Sequence, residues 1–375
     1  INWLSMLRLL QLHWLSTVAY TTAASDVNEL LQIRTGAVVN YSSPKALKEL
    51  AEVLVLAKKE CLGSSVDCIS TLKQVRYRVW PFVQQLLGNR FQGFDPVDFH
   101  PQVAKATLRC DHQNRTLTYM HVWKSAGYSL MENLHSVGSG YEVVDSFEDN
   151  FYWCENLALN HNTRAAGRSF TFVREPLDRF VSGYAEIDRT YLGPRYDFFH
   201  KAPPGSLDRA KLFVRRFFQD GLIFNGHVKP QSEYFAPFSS TCKLPIDYVG
   251  KIEQISEDWK KFLESQHCDA ARIPYNNSLG QHPTDEAERH AMYHLMALQE
   301  FADTNVSDSD KSNGTRLLSS LHLQEVFRKH HYAFLRAFCW IHLPDYVMFD
   351  YDLPEKCNDP EIVQLKNMTQ RKSMI

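Results

Sequence analysis

The amino-acid sequence predicts an α/β domain built on a central, mostly parallel sheet flanked by helices. From residue 108 onward, short segments rich in β-branched and aromatic residues are followed by segments with helical periodicity. Strands that alternate with helices are typical of parallel β-α-β units. The composition agrees with a folded domain, because 44% of the 375 residues are hydrophobic and 22% are charged.

The predicted elements of this domain follow one another closely along the chain. They are strand 116–123, helix 129–136, strand 141–146, strand 169–174, helix 176–190, helix 208–220, strand 246–250 and helix 256–265. Pro176 opens the helix at 176–190, since proline suits the first helical turn. Two further helices are expected at 284–302 and 318–340, with a polar surface loop at 303–315 between them.

The first hundred residues have a different character. The segment 44–62 has apolar residues at helical spacing, whereas 76–101 is rich in aromatic residues, glycine and proline and is interpreted as a wrapping segment. We therefore expect four regions. They are a signal peptide or remnant signal anchor at 1–25, a helical stem at 26–107, the α/β domain at 108–357 and a tail at 358–375.

The N-terminal segment leaves three interpretations open. Trp3–Tyr20 is apolar but is interrupted by Arg8, Gln11 and His13, which makes it marginal as a membrane span. Small residues at 22–25 follow, where a signal peptidase could cut. A signal peptide, a signal anchor and an amphipathic helix all fit, so a membrane is expected only through this segment. The net charge of −2 gives no reason to expect nucleic acid as a partner.

Cysteine usage and glycosylation acceptors favour an oxidising lumen over the cytosol. The chain has eight cysteines without metal-like spacing, and Cys242 and Cys268 are one candidate disulfide among many. It also has six Asn-x-Ser/Thr triplets, where chance predicts roughly two or three. These triplets begin at Asn40, Asn114, Asn276, Asn305, Asn313 and Asn367. Together the two features are typical of a disulfide-bonded glycoprotein.

The stretch YMHVWKSAGYSLME at 119–132 passes from a strand through a small-residue turn into a helix. Backbone N–H groups at such a helix start favour an anion. Lys124 adds a positive charge, Gly127 allows close approach, and Ser125 and Ser129 can donate hydroxyl groups. The lysine precedes the glycine, unlike the order in a Walker A loop, which argues against an ATP-dependent kinase. Alone, the pattern fits a structural turn equally well.

A second stretch, FTFVREPLDRFVSGY at 170–184, carries a similar arrangement. Arg174 closes a strand, and Ser182 lies about two turns along the helix that follows. An arginine and a hydroxyl placed in this way can hold one phosphate from two sides. The alternative is that Arg174 forms a surface ion pair with Glu175 or Asp178.

Together the two stretches resemble motifs of the Golgi carbohydrate sulfotransferases, whose donor is 3′-phosphoadenosine 5′-phosphosulfate (PAPS). Residues 123–129 look like the family loop Pro-Lys-Thr/Ser-Gly-Gly/Ser-Thr-Ser, which grips the 5′-phosphosulfate. Residues 174–184 are similar to Arg-Asp-Pro-x-x-Arg-x-x-Ser-x-Tyr, which grips the 3′-phosphate. The segments GHVKPQ at 226–231, IDYVGKIE at 246–253 and the ending 335–354 resemble the chondroitin, dermatan and HNK-type branch.

The resemblance implies a P-loop-like sulfotransferase fold and transfer of a sulfuryl group from PAPS to a hydroxyl of a glycan or proteoglycan. It implies the nucleotide product PAP, no requirement for a metal, and a Golgi-lumenal type II membrane protein or a secreted enzyme. The donor-binding residues would be Lys124, Ser125, Ala126, Gly127, Tyr128, Ser129, Arg174 and Ser182. Ala126 and Tyr128 depart from the family pattern, so an inactive relative that binds a glycan or nucleotide is the second reading.

Transfer to a hydroxyl requires a general base as well as charge neutralisation at the leaving oxygen. The resemblance implies that Lys124 supplies the charge. The first candidate for the base is His227, for which a structural role is the ordinary alternative. The second candidate is Glu186, one helical turn beyond Ser182. Acceptor specificity is expected in the loops Gly193–Leu207 and Asp303–Thr315.

Overall fold

The structure is a computed structural model that describes twelve segments of the chain. They are residues 43–63, 67–87, 102–110, 113–144, 168–190, 202–203, 205–219, 226–235, 246–268, 321–327, 332–357 and 359–373. The predicted signal segment, the helix at 284–302 and the loop at 303–315 lie outside these residues. Among the described helices, none combines the length and the apolar character needed to cross a membrane.

The described part of the chain contains a five-stranded sheet in the order β3-β1-β2-β4-β5. The strands are β1 Gln102–Cys110, β2 Gln113–His121, β3 Ser139–Val144, β4 Ser169–Val173 and β5 Tyr248–Lys251. β2, β4 and β5 pair in parallel, whereas β1 is antiparallel to both of its neighbours, β2 and β3. Four of these five strands therefore run in one direction, which confirms the α/β class with a mostly parallel sheet.

Besides the helical residues 321–327, the described segments contain nine α-helices with defined bounds. They are α1 Pro44–Leu62, α2 Cys68–Leu87, α3 Gly127–Val137, α4 Pro176–Thr190, α5 Leu207–Gln219, α6 Ile255–Ser265, α7 Ala333–Ile341, α8 Leu343–Met348 and α9 Pro360–Ser373. Helices α1 and α4 have the predicted bounds. Short 3-10 helices lie at Gln231–Phe235, Ile252–Gln254 and Glu355–Cys357.

Several predicted elements need correction. Residues 76–87 belong to α2, whose interior contains Pro81, so they are helical and not a wrapping segment. Strand β1 begins at Gln102 in a region expected to be helical. The helix predicted at 318–340 is interrupted, because α7 starts only after Tyr332, which has a left-handed φ of 59°. Helix α9, for which no helix was predicted, lies within the expected tail and does not contradict that region. The four region boundaries themselves stay a prediction.

The sheet separates two hydrophobic cores, because alternate side chains of a strand point to opposite faces. In β2, Tyr119 belongs to the core beneath α3 and α6, and Met120 belongs to the larger core that includes α4, α5 and α7. Helices α1 and α2 contribute to the larger core as well. There Phe82 of α2 stacks on Trp340 of α7, with ring centroids 4.0 Å apart. The chain is thus layered as helices, sheet and helices.

All six cysteines in the described segments form disulfides, namely Cys61–Cys68, Cys110–Cys268 and Cys339–Cys357. The second of these joins the end of β1 to the residues just beyond α6, across 158 positions of sequence. The candidate pair Cys242–Cys268 is therefore wrong, because Cys268 bonds to Cys110. The expectation that the protein contains disulfides is confirmed.

Candidate active site

The turn that carries Lys124 connects the end of β2 to the start of α3. Lys124 and Ala126 both have left-handed backbone conformations, with φ of 67° and 56°. Such conformations cost of order 1–3 kcal/mol each for residues other than glycine, and they cluster at functional sites. Ala126 is the N-cap of α3 and makes no side-chain cap hydrogen bond. The first-turn N–H groups of α3 therefore receive no N-cap bond and are suited to an anion.

Gly127 is required by the close approach of His121. A Cβ atom at position 127 would collide with the His121 ring at Nε2. Only glycine leaves room for the imidazole, which is itself buried. The His121 ring is thus packed within the fold against the start of α3.

Lys124 forms an ion pair with the alternative base candidate. Its Nζ lies 3.0 Å from Oε2 of Glu186, and the two side chains are only 19% and 14% exposed. Glu186 is on α4, which leaves the neighbouring parallel strand β4. Two residues singled out from separate motifs therefore meet at the carboxyl ends of β2 and β4.

His227 joins this pair from the loop at 226–230. Its ring centroid lies 4.4 Å from that of Trp123, and Gly183 of α4 allows the His227 backbone to approach, because a Cβ there would collide with its carbonyl. Burial, followed by the positive charge of Lys124, lowers the pKa of His227 to about 3, although Glu186 partly offsets this. The imidazole is therefore neutral at ordinary pH and can accept a proton.

The second predicted anion site lies at the end of β4. The Arg174 side chain is half-buried and forms no ion pair with any residue that the structure describes. Glu175 instead accepts hydrogen bonds from the Tyr346 hydroxyl (3.0 Å) and the Asp178 N–H (2.7 Å). The surface ion pair considered as an alternative role for Arg174 is thus absent from this part of the chain. Ser182 is also half-buried, on α4.

The remaining predicted donor residues lie on the Lys124 turn or in the first turn of α3. Ser125 is fully buried and donates its hydroxyl to Oε1 of Gln231 (3.2 Å), so this hydroxyl already has an acceptor. Ser129 is buried, and Ala126 is partly buried. The backbone of Tyr128 belongs to α3, and its side chain lies outside the described part.

Arg179 is a structural residue of the site that sequence reasoning did not assign. Its fully buried guanidinium donates to three backbone carbonyls, those of Trp123 (2.8 Å), Lys229 (2.6 Å) and Gly226 (2.7 Å). It thereby ties the Lys124 turn to the His227 loop. Burial lowers the pKa of Arg179 from its ordinary value. A signal was present, because Arg179 matches the second arginine of the motif at 174–184.

Gln231 is a second buried residue of the site that was not predicted from the sequence. Its side-chain amide contacts both Ser125 and the backbone of Arg174. It is the last residue of the segment GHVKPQ, and a single sequence does not show which groups a glutamine amide will contact. Within the described segments, no group of three His, Cys, Asp or Glu side chains could hold a metal ion.

Comparison with known proteins supplies an independent finding. A family model described as the sulfotransferase family matches residues 106–352, well over half of the chain. The matched range contains the Lys124 turn, the Arg174 motif and the His227 loop. Comparisons with curated proteins and with solved structures found no match.

Proposed function

The chain belongs to the sulfotransferase family, and we propose that it transfers a sulfuryl group from PAPS to a hydroxyl of a glycan or proteoglycan. The observation that carries this proposal is the left-handed turn at Lys124, which brings a lysine, Glu186 and His227 together beside the start of α3. Sulfotransferases generally use PAPS, and the two predicted anion sites match the two phosphate-bearing ends of that donor.

The donor would bind across the carboxyl ends of β2 and β4. The N–H groups at residues 127–129 and the Lys124 ammonium would receive the 5′-phosphosulfate, because both favour negative charge. Arg174 and Ser182 would receive the 3′-phosphate. The absence of an ion-pair partner for Arg174 among the described residues supports this assignment, since its guanidinium remains available for a charge-assisted contact.

The proposed reaction is an in-line displacement at sulfur. The acceptor oxygen forms a bond to sulfur while the bond from sulfur to the bridging phosphate oxygen breaks, and PAP leaves with the negative charge. Lys124 would neutralise this developing charge, and a base would take the proton of the acceptor hydroxyl. Positioning and electrostatic stabilisation supply most of the acceleration in chemistry of this kind.

Two side chains are candidates for the base. His227 is unprotonated and can accept a proton, but a pKa of about 3 makes it a weak base in the protein alone. The negative charge of a bound donor would raise this pKa by opposing the effect of Lys124. Glu186 is the second candidate, and its contact with Lys124 would serve to position the ammonium if His227 takes the proton.

We further propose a lumenal location, as a Golgi type II membrane protein or a secreted enzyme. Three disulfides and six glycosylation acceptors support an oxidising compartment. In such a protein the N-terminal segment would serve as anchor or signal, and nucleic acid is not an expected partner.

A second candidate function is that of an inactive family member which binds a nucleotide or glycan. The departures at Ala126 and Tyr128 favour it. Against this reading, the turn keeps its left-handed conformation at Ala126, where the family usually has glycine. The replacement of the usual glycine by Ala126 is therefore compatible with the left-handed backbone that the proposed anion site requires.

The experiment compares stabilisation by PAP with stabilisation by ATP and magnesium, followed by transfer of labelled sulfate from PAPS to a panel of glycans. PAP at a hundred times its Kd should stabilise the protein by about 2.7 kcal/mol. Stabilisation together with labelled glycan supports the proposal. Stabilisation without transfer to any acceptor favours the inactive reading, and stabilisation only by ATP contradicts both.

A further inference from the structure

We infer that Gln231 is a positioning residue that fixes the spacing between the Lys124 turn and the Arg174 turn. This inference rests on the proposed function, because it assigns both turns to one donor. The Oε1 atom of Gln231 accepts hydrogen bonds from the Ser125 hydroxyl (3.2 Å) and from the backbone N–H of Arg174 (2.8 Å). Its Nε2 donates to the Arg174 carbonyl (2.6 Å). One side-chain amide thus makes three bonds to two turns.

The bonds to Arg174 hold its main chain on both sides. Because the N–H and the carbonyl of the same residue are engaged, the origin of the Arg174 side chain is fixed relative to Gln231. The bond from the Ser125 hydroxyl holds the side chain of the residue next to Lys124. Gln231 is fully buried, so breaking any of these bonds leaves a polar group without water.

The sheet alone does not provide this spacing. Parallel pairing of β2 with β4 involves Thr118 with Ser169 and Tyr119 with Phe170, several residues before either turn. A bond from the Thr171 hydroxyl to the Met120 carbonyl (2.7 Å) extends the contact slightly further. Closer to the two turns, the side-chain amide of Gln231 forms hydrogen bonds to both Ser125 and Arg174.

Gln231 is itself held rigidly from two directions. The buried carboxylate of Asp345 accepts the backbone N–H groups of Gln231 (2.7 Å) and Ser232 (2.8 Å). The same 3-10 helix carries Glu233, which forms an ion pair with Arg76 of α2. The amide therefore projects from a short element anchored to α8 on one side and to α2 on the other. The position of the Gln231 amide, and with it the spacing of the two turns, is therefore set by the packing of this short helix.

The test compares Gln231→Met, which has a similar length but no hydrogen-bonding amide, with Gln266→Met. Gln266 is a buried glutamine after α6 whose Nε2 donates to Ser265 (2.8 Å), far from both turns in sequence. We measure PAP binding by calorimetry, kcat and KM for PAPS and for the acceptor, and thermal stability. Gln231→Met should raise the PAP Kd and the PAPS KM at least tenfold and leave the acceptor KM within twofold. Gln266→Met should leave the PAP Kd, the PAPS KM and the acceptor KM unchanged.

A double-mutant cycle with Ser125→Ala separates positioning from direct contact. If the Ser125 hydroxyl acts through Gln231, the double variant should bind PAP no more weakly than Gln231→Met alone. A PAP Kd within twofold of wild type in folded Gln231→Met overturns the inference. If Gln231→Met does not fold, Ser125→Ala decides, because faster amide exchange at Arg174 is then expected and an unchanged rate contradicts the inference.

Failure of the proposed function gives a different result. In that case the wild-type protein itself would neither bind PAP nor transfer sulfate. Amide exchange of the protein without ligand still tests the role of Gln231, since Gln231→Met should accelerate exchange at residues 124–129 and at Arg174 relative to Gln266→Met. Unchanged exchange there would show that the amide does not determine the geometry of the two turns.

Discussion

The Lys124 ammonium lies 3.0 Å from the Glu186 carboxylate, and the two residues come from turns or helices that follow different parallel strands. Both side chains are mostly shielded from water, so their attraction is stronger than that of a surface pair. Glu186 thus holds the lysine beside the first turn of α3. A bound phosphosulfate would compete with Glu186 for the same ammonium.

Removal of the lysine should abolish transfer without unfolding the protein. Lys124→Ala should lower kcat by at least about a hundredfold, as expected for loss of a group that stabilises a leaving oxygen. The protein should stay folded, although its melting temperature should fall because Glu186 loses its partner in a largely shielded ion pair. Lys211→Ala is a matched control, because Lys211 is exposed and pairs with the exposed Asp208 on α5. Normal turnover in Lys124→Ala would refute the assignment.

Arg174 should contribute to donor affinity more than to stability. Arg174→Ala is expected to weaken PAP binding by about 1–3 kcal/mol, the range for hydrogen bonds to a charged group. Calorimetric titration with PAP measures this directly. Arg168→Ala is the control, since Arg168 is exposed and its bond to Asp247 is long at 3.4 Å. An unchanged PAP affinity would leave Arg174 with no role in binding.

The two base candidates can be separated by pH–rate profiles. We expect His227→Ala to lower kcat about 10²–10⁴-fold, the usual contribution of a general base. Glu186→Gln keeps the shape of the side chain and an oxygen toward Lys124, so a smaller loss is expected. The acidic limb of the profile should disappear in His227→Ala. If Glu186→Gln shows the large loss and His227→Ala turns over normally, the roles are reversed.

Glu175 should make stability decrease as the pH rises. Burial raises the pKa of Glu175 from 4.5 to about 7, against the opposing hydrogen bond from Asp178. Between these values the folded protein keeps a proton that the unfolded chain releases, so the free energy of unfolding falls with rising pH. The Glu175→Gln variant lacks this pH dependence. Its free energy of unfolding relative to that of wild type should therefore increase by about 2–3 kcal/mol from pH 5 to pH 8. Urea unfolding of both proteins at pH 5 and pH 8 measures these free energies. The same difference between variant and wild type at both pH values would contradict the prediction.

Arg179 should be far more sensitive to replacement than an exposed arginine. Arg179→Lys keeps the charge but cannot reach three carbonyls with one ammonium, so a loss of about 3 kcal/mol or more is expected. The exposed Arg215 of α5 provides the control variant, Arg215→Lys, for which urea unfolding should show almost no change. Equal stability of the two variants would mean that the bonds to Trp123, Gly226 and Lys229 do not hold the loops together.

Local pattern predicted those parts of the fold that local physics determines. β4 and α4 have nearly the expected bounds, because alternation, a proline at the helix start and apolar periodicity all act within a few residues. Helix α2 was missed at its second half because Pro81 usually ends a helix, whereas tertiary packing overrides that preference here.

The candidate site divides in the same way. The charged residues Lys124 and Arg174 could be found from sequence, because their position at strand ends is itself a local pattern. Arg179 and Gln231 act through partners 47 to 106 positions away, and no local pattern specifies those partners. Polar residues whose function is to hold other residues become visible only when the chain is folded.

The stacking of Phe82 on Trp340 and the Arg76–Glu233 ion pair determine where a recombinant fragment can begin. A chain cut at residue 108 would retain the two turns predicted to bind the donor and almost the whole of the family match. It would also leave Trp340 uncovered and Glu233 without its arginine, and loss of one partner of a buried pair costs about 3–5 kcal/mol. A soluble fragment for crystallisation or screening should therefore keep α2, and also α1, whose Cys61 is disulfide-bonded to Cys68.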